Sequence, residues 1–216
     1  MRIVSIEKLR RGGKFELVFD NGETFVAGRE VLVDFGLRRG DEISEKKLSE
    51  IRDAQLYHEA YGAAARLVGY RMRTVSELEQ RLLKKKFPPE IGARVIEKFA
   101  DLGLLDDSRF AEAFVNSKLA SKPIGRREME RRLREKGIDK VIAAKTISEV
   151  SSEESQFQMA CRAADSKLSS LRRFDLNKRR EKLTAFLVRR GFEWDVVRRV
   201  VRKVLKDNSD VLDSAL

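Results

Sequence analysis

One cysteine, one histidine and three prolines are all that this 216-residue chain holds of those types, and each scarcity narrows its chemistry. A lone Cys161 excludes an intramolecular disulfide framework and fits a reducing compartment. Set among Phe157, Met159, Ala160 and Ala164 in an apolar helical pattern, it reads as a small buried side chain rather than a nucleophile. With His58 the only histidine, a Ser-His-Asp or Cys-His arrangement would rest on a residue that sits in mid-helix beside Tyr57 and Tyr61 and reads as structural. One His and one Cys leave no zinc site of ordinary type, and the glycine-rich phosphate loop of nucleotide hydrolases is missing. No run approaches the ~18 apolar residues that span a bilayer. The opening MRIVSIEKLRRGGKF holds no apolar core of signal-peptide length, so a cytoplasmic protein without membrane contact is expected. Asp106-Asp107 is the most enzyme-like pair, able in principle to hold Mg2+. Its position suits a helix cap equally well, so the expectation is a binding protein with no catalytic residues, metal or cofactor.

What is abundant is charge, 38% of the chain with a net +11, alongside many large apolar residues. Residues 1–50 hold ten basic and ten acidic side chains, and residues 51–216 hold 36 and 25, so the whole basic excess lies in the later region. Such a field attracts polyanions or acidic protein surfaces.

The first part reads as β. In KFELVFDNGETFVAG two runs rich in Phe and Val flank Asn21-Gly22, which tolerates the positive φ angles of a type I′ turn and predicts a hairpin over residues 14–28. MRIVSIEKL offers a third strand, and REVLVDFGLRRGDEIS a short helix or turn. From about Ser44 the pattern is helical almost to residue 207, and it repeats. Leu78, Met129 and Leu183 match, as do Leu82, Leu133 and Leu187 four residues on. Lys86, Gly137 and Gly191 stand at the break, Phe87, Ile138 and Phe192 follow it, and a second helix comes after. A third helix precedes each matched pair. The fold expected is mainly α, three tandem three-helix units behind a small N-terminal β-hairpin element. The boundaries are 1–50 for the hairpin and linker, 51–104, 105–151 and 152–208 for the units, and 209–216 for a tail. Capping-box spacing at Thr74–Glu77 and Ser151–Glu154, Pro88-Pro89 at a helix start and Gly137 and Gly191 at helix ends agree with these limits.

The segment SKPIGRREMERRLREKGI gives the charge a place. On a helical wheel of about 100° per residue, Arg127, Arg131 and Arg134 lie opposite the core positions Met129 and Leu133. The sister units carry Ser76, Gln80 and Leu83, or Glu181, Ala185 and Val188, at the matching places. The fold does not require arginine there, so these three are candidate contacts for negative charge. Further basic candidates are Arg71, Arg73, Lys122, Arg172 and Arg173. Other clusters are Lys84-Lys85-Lys86, Lys178-Arg179-Arg180, Arg198-Arg199 and Arg202-Lys203, and aromatic residues are not interleaved with them as stacking platforms would be.

GLLDDSRFAEAFVNSKLASKPIGRREMERRLREKGI resembles the signature of the RecX regulators of bacterial RecA recombinase. The matching residues are Leu105, Asp106, Asp107, Arg109, Phe110, Ala111, Phe114, Val115, Lys122, Gly125, Met129, Leu133, Lys136, Gly137 and Ile138. Met129 stands where Ile is more usual, and YRMRTVSELEQRLLKKKF in the first unit is also similar. The resemblance covers about residues 50–205, and the hairpin is not part of every family member. It implies a tandem three-helix, all-α modulator that binds the RecA–DNA filament within its groove and opposes filament growth, ATP turnover and strand exchange; a monomer is expected. DNA, single- or double-stranded and without sequence preference, is the second implied partner. An independent helix-turn-helix DNA-binding protein and a Mg2+-dependent nuclease using Asp106 and Asp107 are the competing readings.

Overall fold

A computed structural model describes residues 1–10, 12–121 and 123–213, with side chains as far as Leu205. The alternating apolar runs of the first part form β1 (Ile3–Lys8), β2 (Lys14–Phe19) and β3 (Thr24–Gly28), an antiparallel sheet in the order β1-β2-β3. β1 thus joins the expected hairpin as its third strand. The turn is not of type I′, which needs positive φ at both central residues. Only Gly22 has it, at 81°; the Asn21 side chain instead accepts a hydrogen bond from the Glu23 amide, at 3.0 Å. The Gly22 amide donates to the Phe19 carbonyl at 3.0 Å, closing a three-residue loop on a left-handed glycine.

After the short α1 (Arg29–Asp34), Ser44 caps α2 (Glu45–Tyr70), its hydroxyl accepting from the Lys47 amide at 3.2 Å. At 26 residues α2 is about 39 Å long, and its two halves serve two cores. Leu48 and Ile51 pack with Ile3, Leu17, Phe19 and Val31 under the sheet. Ala60, Ala63 and Ala64 pack with Leu78 and Leu82 of α3 (Val75–Lys84) and with Val95 and Phe99 of α4 (Pro89–Asp101). The α2 helix therefore ties the sheet to the first three-helix group, and Met1–Leu105 is one compact unit.

A second unit begins at Asp106. It holds α5 (Asp107–Ala120), α6 (Arg126–Glu135) and α7 (Lys140–Val150), then α8 (Glu153–Leu168), a 3-10 turn (Ser169–Leu171), α9 (Leu176–Arg189) and α10 (Trp194–Asp213). These two three-helix groups share one core, in which Val115, Met129, Leu133 and Ile147 meet Met159, Ala160, Leu183, Leu187 and Val200. The repeat read from the sequence is a repeat of packing: all six anchors, Leu78, Met129, Leu183, Leu82, Leu133 and Leu187, are at most 1% exposed. The break is one conformation too. Lys86, Gly137 and Gly191 have φ of 67°, 79° and 83°, and the lysine adopts a left-handed form that is unfavourable for a residue with a Cβ by roughly 1–2 kcal/mol.

Capping confirms Thr74, which accepts from the Glu77 amide at 3.1 Å, and Asp106, which accepts from the Arg109 amide at 2.9 Å. The expected Ser151–Glu154 box is displaced by one residue. Ser152 caps α8 through the Ser155 amide, while the buried Ser151 hydroxyl accepts from Gln156 at 2.7 Å. His58 is half-buried, its Nε2 3.0 Å from an Asp34 carboxylate oxygen. Cys161 is also half-buried, and that burial raises its thiol pKa. Among the described residues no helix is long and apolar enough to cross a membrane.

Candidate functional site

Helix α6 is built on two fully buried side chains, Met129 and Leu133, and everything else on it is charged. The three arginines opposite that stripe are all exposed, as the wheel requires. They are not equally available. Arg127 grips Glu193 with two hydrogen bonds, Nη2 to Oε2 at 2.9 Å and Nε to Oε1 at 3.2 Å. Arg131 pairs with Glu128 at 2.7 Å and also with Glu135. Arg134 has no side-chain partner among the described residues. Glu128, which accepts from both Arg131 and Arg132, is drawn down to a pKa of about 2, chiefly by the hydrogen bond from Arg131. An arginine carries five N–H donors, so Arg127 and Arg131 keep free donors for an incoming anion. Their standing charge is nonetheless largely compensated.

The start of α6 is also where the two groups of the second unit lock together. The Gly125 amide donates to the Arg190 carbonyl at 2.8 Å, and the Arg127 amide to the Gly191 carbonyl at 3.0 Å. Two of the orphan amides at the N-terminus of α6 are thus satisfied by carbonyls at the C-terminal end of α9, a favourable meeting of opposite helix ends. A Cβ on Gly125 would lie 2.2 Å from backbone atoms of Gly191 and Phe192, so only glycine permits this approach. The Arg190 guanidinium adds a bond to the Pro123 carbonyl at 2.8 Å. Through this junction Arg127 comes within reach of Glu193, 66 positions away in the chain.

The remaining candidates separate. Arg71, in the first unit, is exposed and paired with Glu77 at 3.0 Å. Arg73 is a correction: it is only 8% exposed, its Nε donates to the Leu67 carbonyl at 2.9 Å, and its guanidinium faces Glu77. Burial lowers its pKa, with Arg71's like charge adding, and a side chain so enclosed holds the α2–α3 turn rather than a partner. Lys122 lies outside the described residues. Arg172 and Arg173 are exposed on the turn before α9, with Arg173 stacked 5.0 Å from the Phe174 ring centre.

Three family models match this chain in order: the RecX first three-helix domain over residues 60–99, the second over 106–147 and the third over 153–201. Regulatory protein RecX of Pelodictyon phaeoclathratiforme is 37% identical over 147 residues, covering 68% of this chain and 89% of that one. The chain belongs to the RecX family. Regulatory protein RecX of Clostridioides difficile is 26% identical over 97% of this chain and 99% of its own length. A crystal structure of a regulatory protein RecX superposes with a TM-score of 0.78 at 25% identity, covering 92% of this chain and 98% of that one. RecX from Lactobacillus salivarius shares the fold, with a TM-score of 0.66 over 69% of this chain and 97% of that one.

With the structure beside it, much of the RecX-like motif proves architectural. Leu105, Ala111, Val115, Met129, Leu133 and Ile138 are core, Asp106 is a cap, Gly125 is the junction and Gly137 is the left-handed break. Phe110 is half-buried rather than fully enclosed. The RecX motif therefore marks the scaffold, and the arginine face lies between its fixed points. Two exposed apolar residues of the third domain escaped the sequence reading, Leu176 and Trp194, at 57% and 53% exposure. The signal was available: at the matching second-helix position the sister domains have Pro89 and Lys140, so the fold does not ask for Trp194.

Proposed function

We propose that this RecX-family chain binds the RecA–DNA filament and opposes its extension, ATP hydrolysis and strand exchange, acting as a cytoplasmic monomer without catalysis or cofactor. The tandem of three RecX three-helix domains carries this reading. The net +11, all of it beyond residue 50, supports it. Exposed Arg127, Arg131, Arg134, Arg172 and Arg173 in the second unit, and Arg71 in the first, suit phosphate backbone or acidic protein surface without regard to base sequence. The helix-turn-helix alternative is less well served. Arg127 and Arg131 are committed to carboxylates, whereas base readout needs a bidentate guanidinium aimed at a base edge.

The test is DNA-dependent ATP hydrolysis by RecA titrated with the intact chain. Progressive inhibition is expected, and unchanged hydrolysis at saturating binding overturns the proposal. Replacing Arg127, Arg131 and Arg134 together by Ala should keep the circular dichroism of the native chain and weaken inhibition. If those arginines meet phosphates, the slope of log affinity against log salt becomes shallower by roughly 1 for each phosphate no longer neutralised.

A further inference from the structure

Helices α9 and α10 enclose an open groove of about 560 Å³ on the third domain. Its apolar walls are Leu176 and Trp194, its floor continues through Val201 and Leu205, and Arg180, Arg198 and Arg202 stand along its rim. Other large apolar residues are exposed elsewhere on the chain, but Leu176 and Trp194 are exposed together along one groove, and a grouped apolar surface rimmed by charge marks an interaction site.

The repeat supplies a control. Where the third domain has Trp194, Arg198 and Arg202, the second has Lys140, Ala144 and Ser148, and the first has Pro89, Ala93 and Glu97. Neither sister combines an aromatic wall with arginines, so this combination is not a requirement of packing. The rim charges are also accessible. Arg198 holds only Asp195 of its own helix, and the Arg180 and Arg202 guanidiniums have no partner among the described residues.

We propose that this groove is a docking site for an acidic amphipathic helix of a partner protein. Trp194, Arg198, Val201 and Leu205 follow one another along α10 at i, i+4, i+7 and i+11, a stripe roughly 16 Å long that matches about three turns of a partner helix. The partner's apolar residues meet the groove floor, and its flanking Asp or Glu side chains meet Arg180, Arg198 and Arg202. Charge complementarity selects the acidic partner. The floor selects protein over nucleic acid, because a single tryptophan above valine and leucine offers no succession of platforms for stacked bases.

Trp194 is the chain's single tryptophan, so its fluorescence reports this groove directly. The probe is a synthetic helix of about 16 residues, with Leu at i, i+4, i+7 and i+11 and Glu on both flanks. It should produce a saturable blue shift of Trp194 emission, while a scramble of the same composition binds about tenfold or more weakly. Arg198→Glu with Arg202→Glu should weaken the probe by about tenfold or more at unchanged circular dichroism, and Arg134→Glu should leave it unaltered. No shift, an equal response to the scramble, or insensitivity to the double reversal overturns the proposal. So does oligothymidylate that displaces the probe at comparable affinity, which makes the groove a nucleic-acid platform instead. The measurement uses no RecA, so its failure leaves the filament reading standing.

Discussion

Gly125→Ala is the substitution whose outcome the structure states most sharply. At φ −77° and ψ 170° the backbone there suits alanine, so no conformational strain arises locally. Taken alone, the lost unfolded-state freedom would stabilise the variant by about 0.4–1 kcal/mol. Against this, the new methyl would sit 2.2 Å from backbone atoms of Gly191 and Phe192, where ordinary contact is 3.4–4 Å. The two chain segments must separate by more than an ångström. That stretches both junction hydrogen bonds, at 2.8 and 3.0 Å, beyond useful range. Each contributes roughly 0.5–1.5 kcal/mol net, and the overpacking adds about 1–3 kcal/mol. The expected net loss is about 2–5 kcal/mol. Urea denaturation followed by Trp194 emission measures it, since that tryptophan reports the second unit alone. Gly69→Ala is the control: it lies in α2 with open space around the added carbon. By circular dichroism it should be neutral or stabilising by up to ~1 kcal/mol. If Gly125→Ala lies within ~0.5 kcal/mol of the parent, the junction does not hold the two domains as described.

Three further outcomes follow from particular side chains. Arg73→Ala should destabilise the first unit by about 1–3 kcal/mol, through loss of its bond to the Leu67 carbonyl, when followed by thermal circular dichroism; an unaltered melt with weakened partner binding would restore it as a contact residue. Leu133→Ala should cost about 2–5 kcal/mol in chemical denaturation, and Phe110→Ala, at a half-buried site, should cost less. Glu128 titrates at about 2 in the folded chain and near 4.5 when unfolded. Its ion-pair contribution is therefore complete above about pH 5 and lost as pH falls through that interval. Glu128→Gln should accordingly lose less stability between pH 7 and pH 3 than the parent does, and an identical loss in both would refute the pairing.

The helical architecture was legible because its signals are local. An apolar residue, another four later and a left-handed break recur in every domain, and the anchors they mark are buried in all three. Local chemistry also marked the caps at Thr74 and Asp106. It misplaced the α8 cap, because Ser151 and Ser152 are equally able to cap and only the fold buries the first. The exposure of Arg127, Arg131 and Arg134 followed from one helix's geometry, and so was readable before any packing was known.

Which charges stand free was a tertiary decision. Arg127 meets a carboxylate 66 residues away, and Arg73 is enclosed by the turn between two helices; neither event leaves a mark in its own neighbourhood. Gly125 and Gly191 each look like an ordinary helix boundary in the sequence. Their contact, and the groove that brings Leu176 beside Trp194, exist only once α6, α9 and α10 are packed. Periodicity determines which face of a helix is buried, because burial depends on a residue's own spacing. It cannot determine which side chains then meet, because pairing depends on distances between segments that sequence order does not encode.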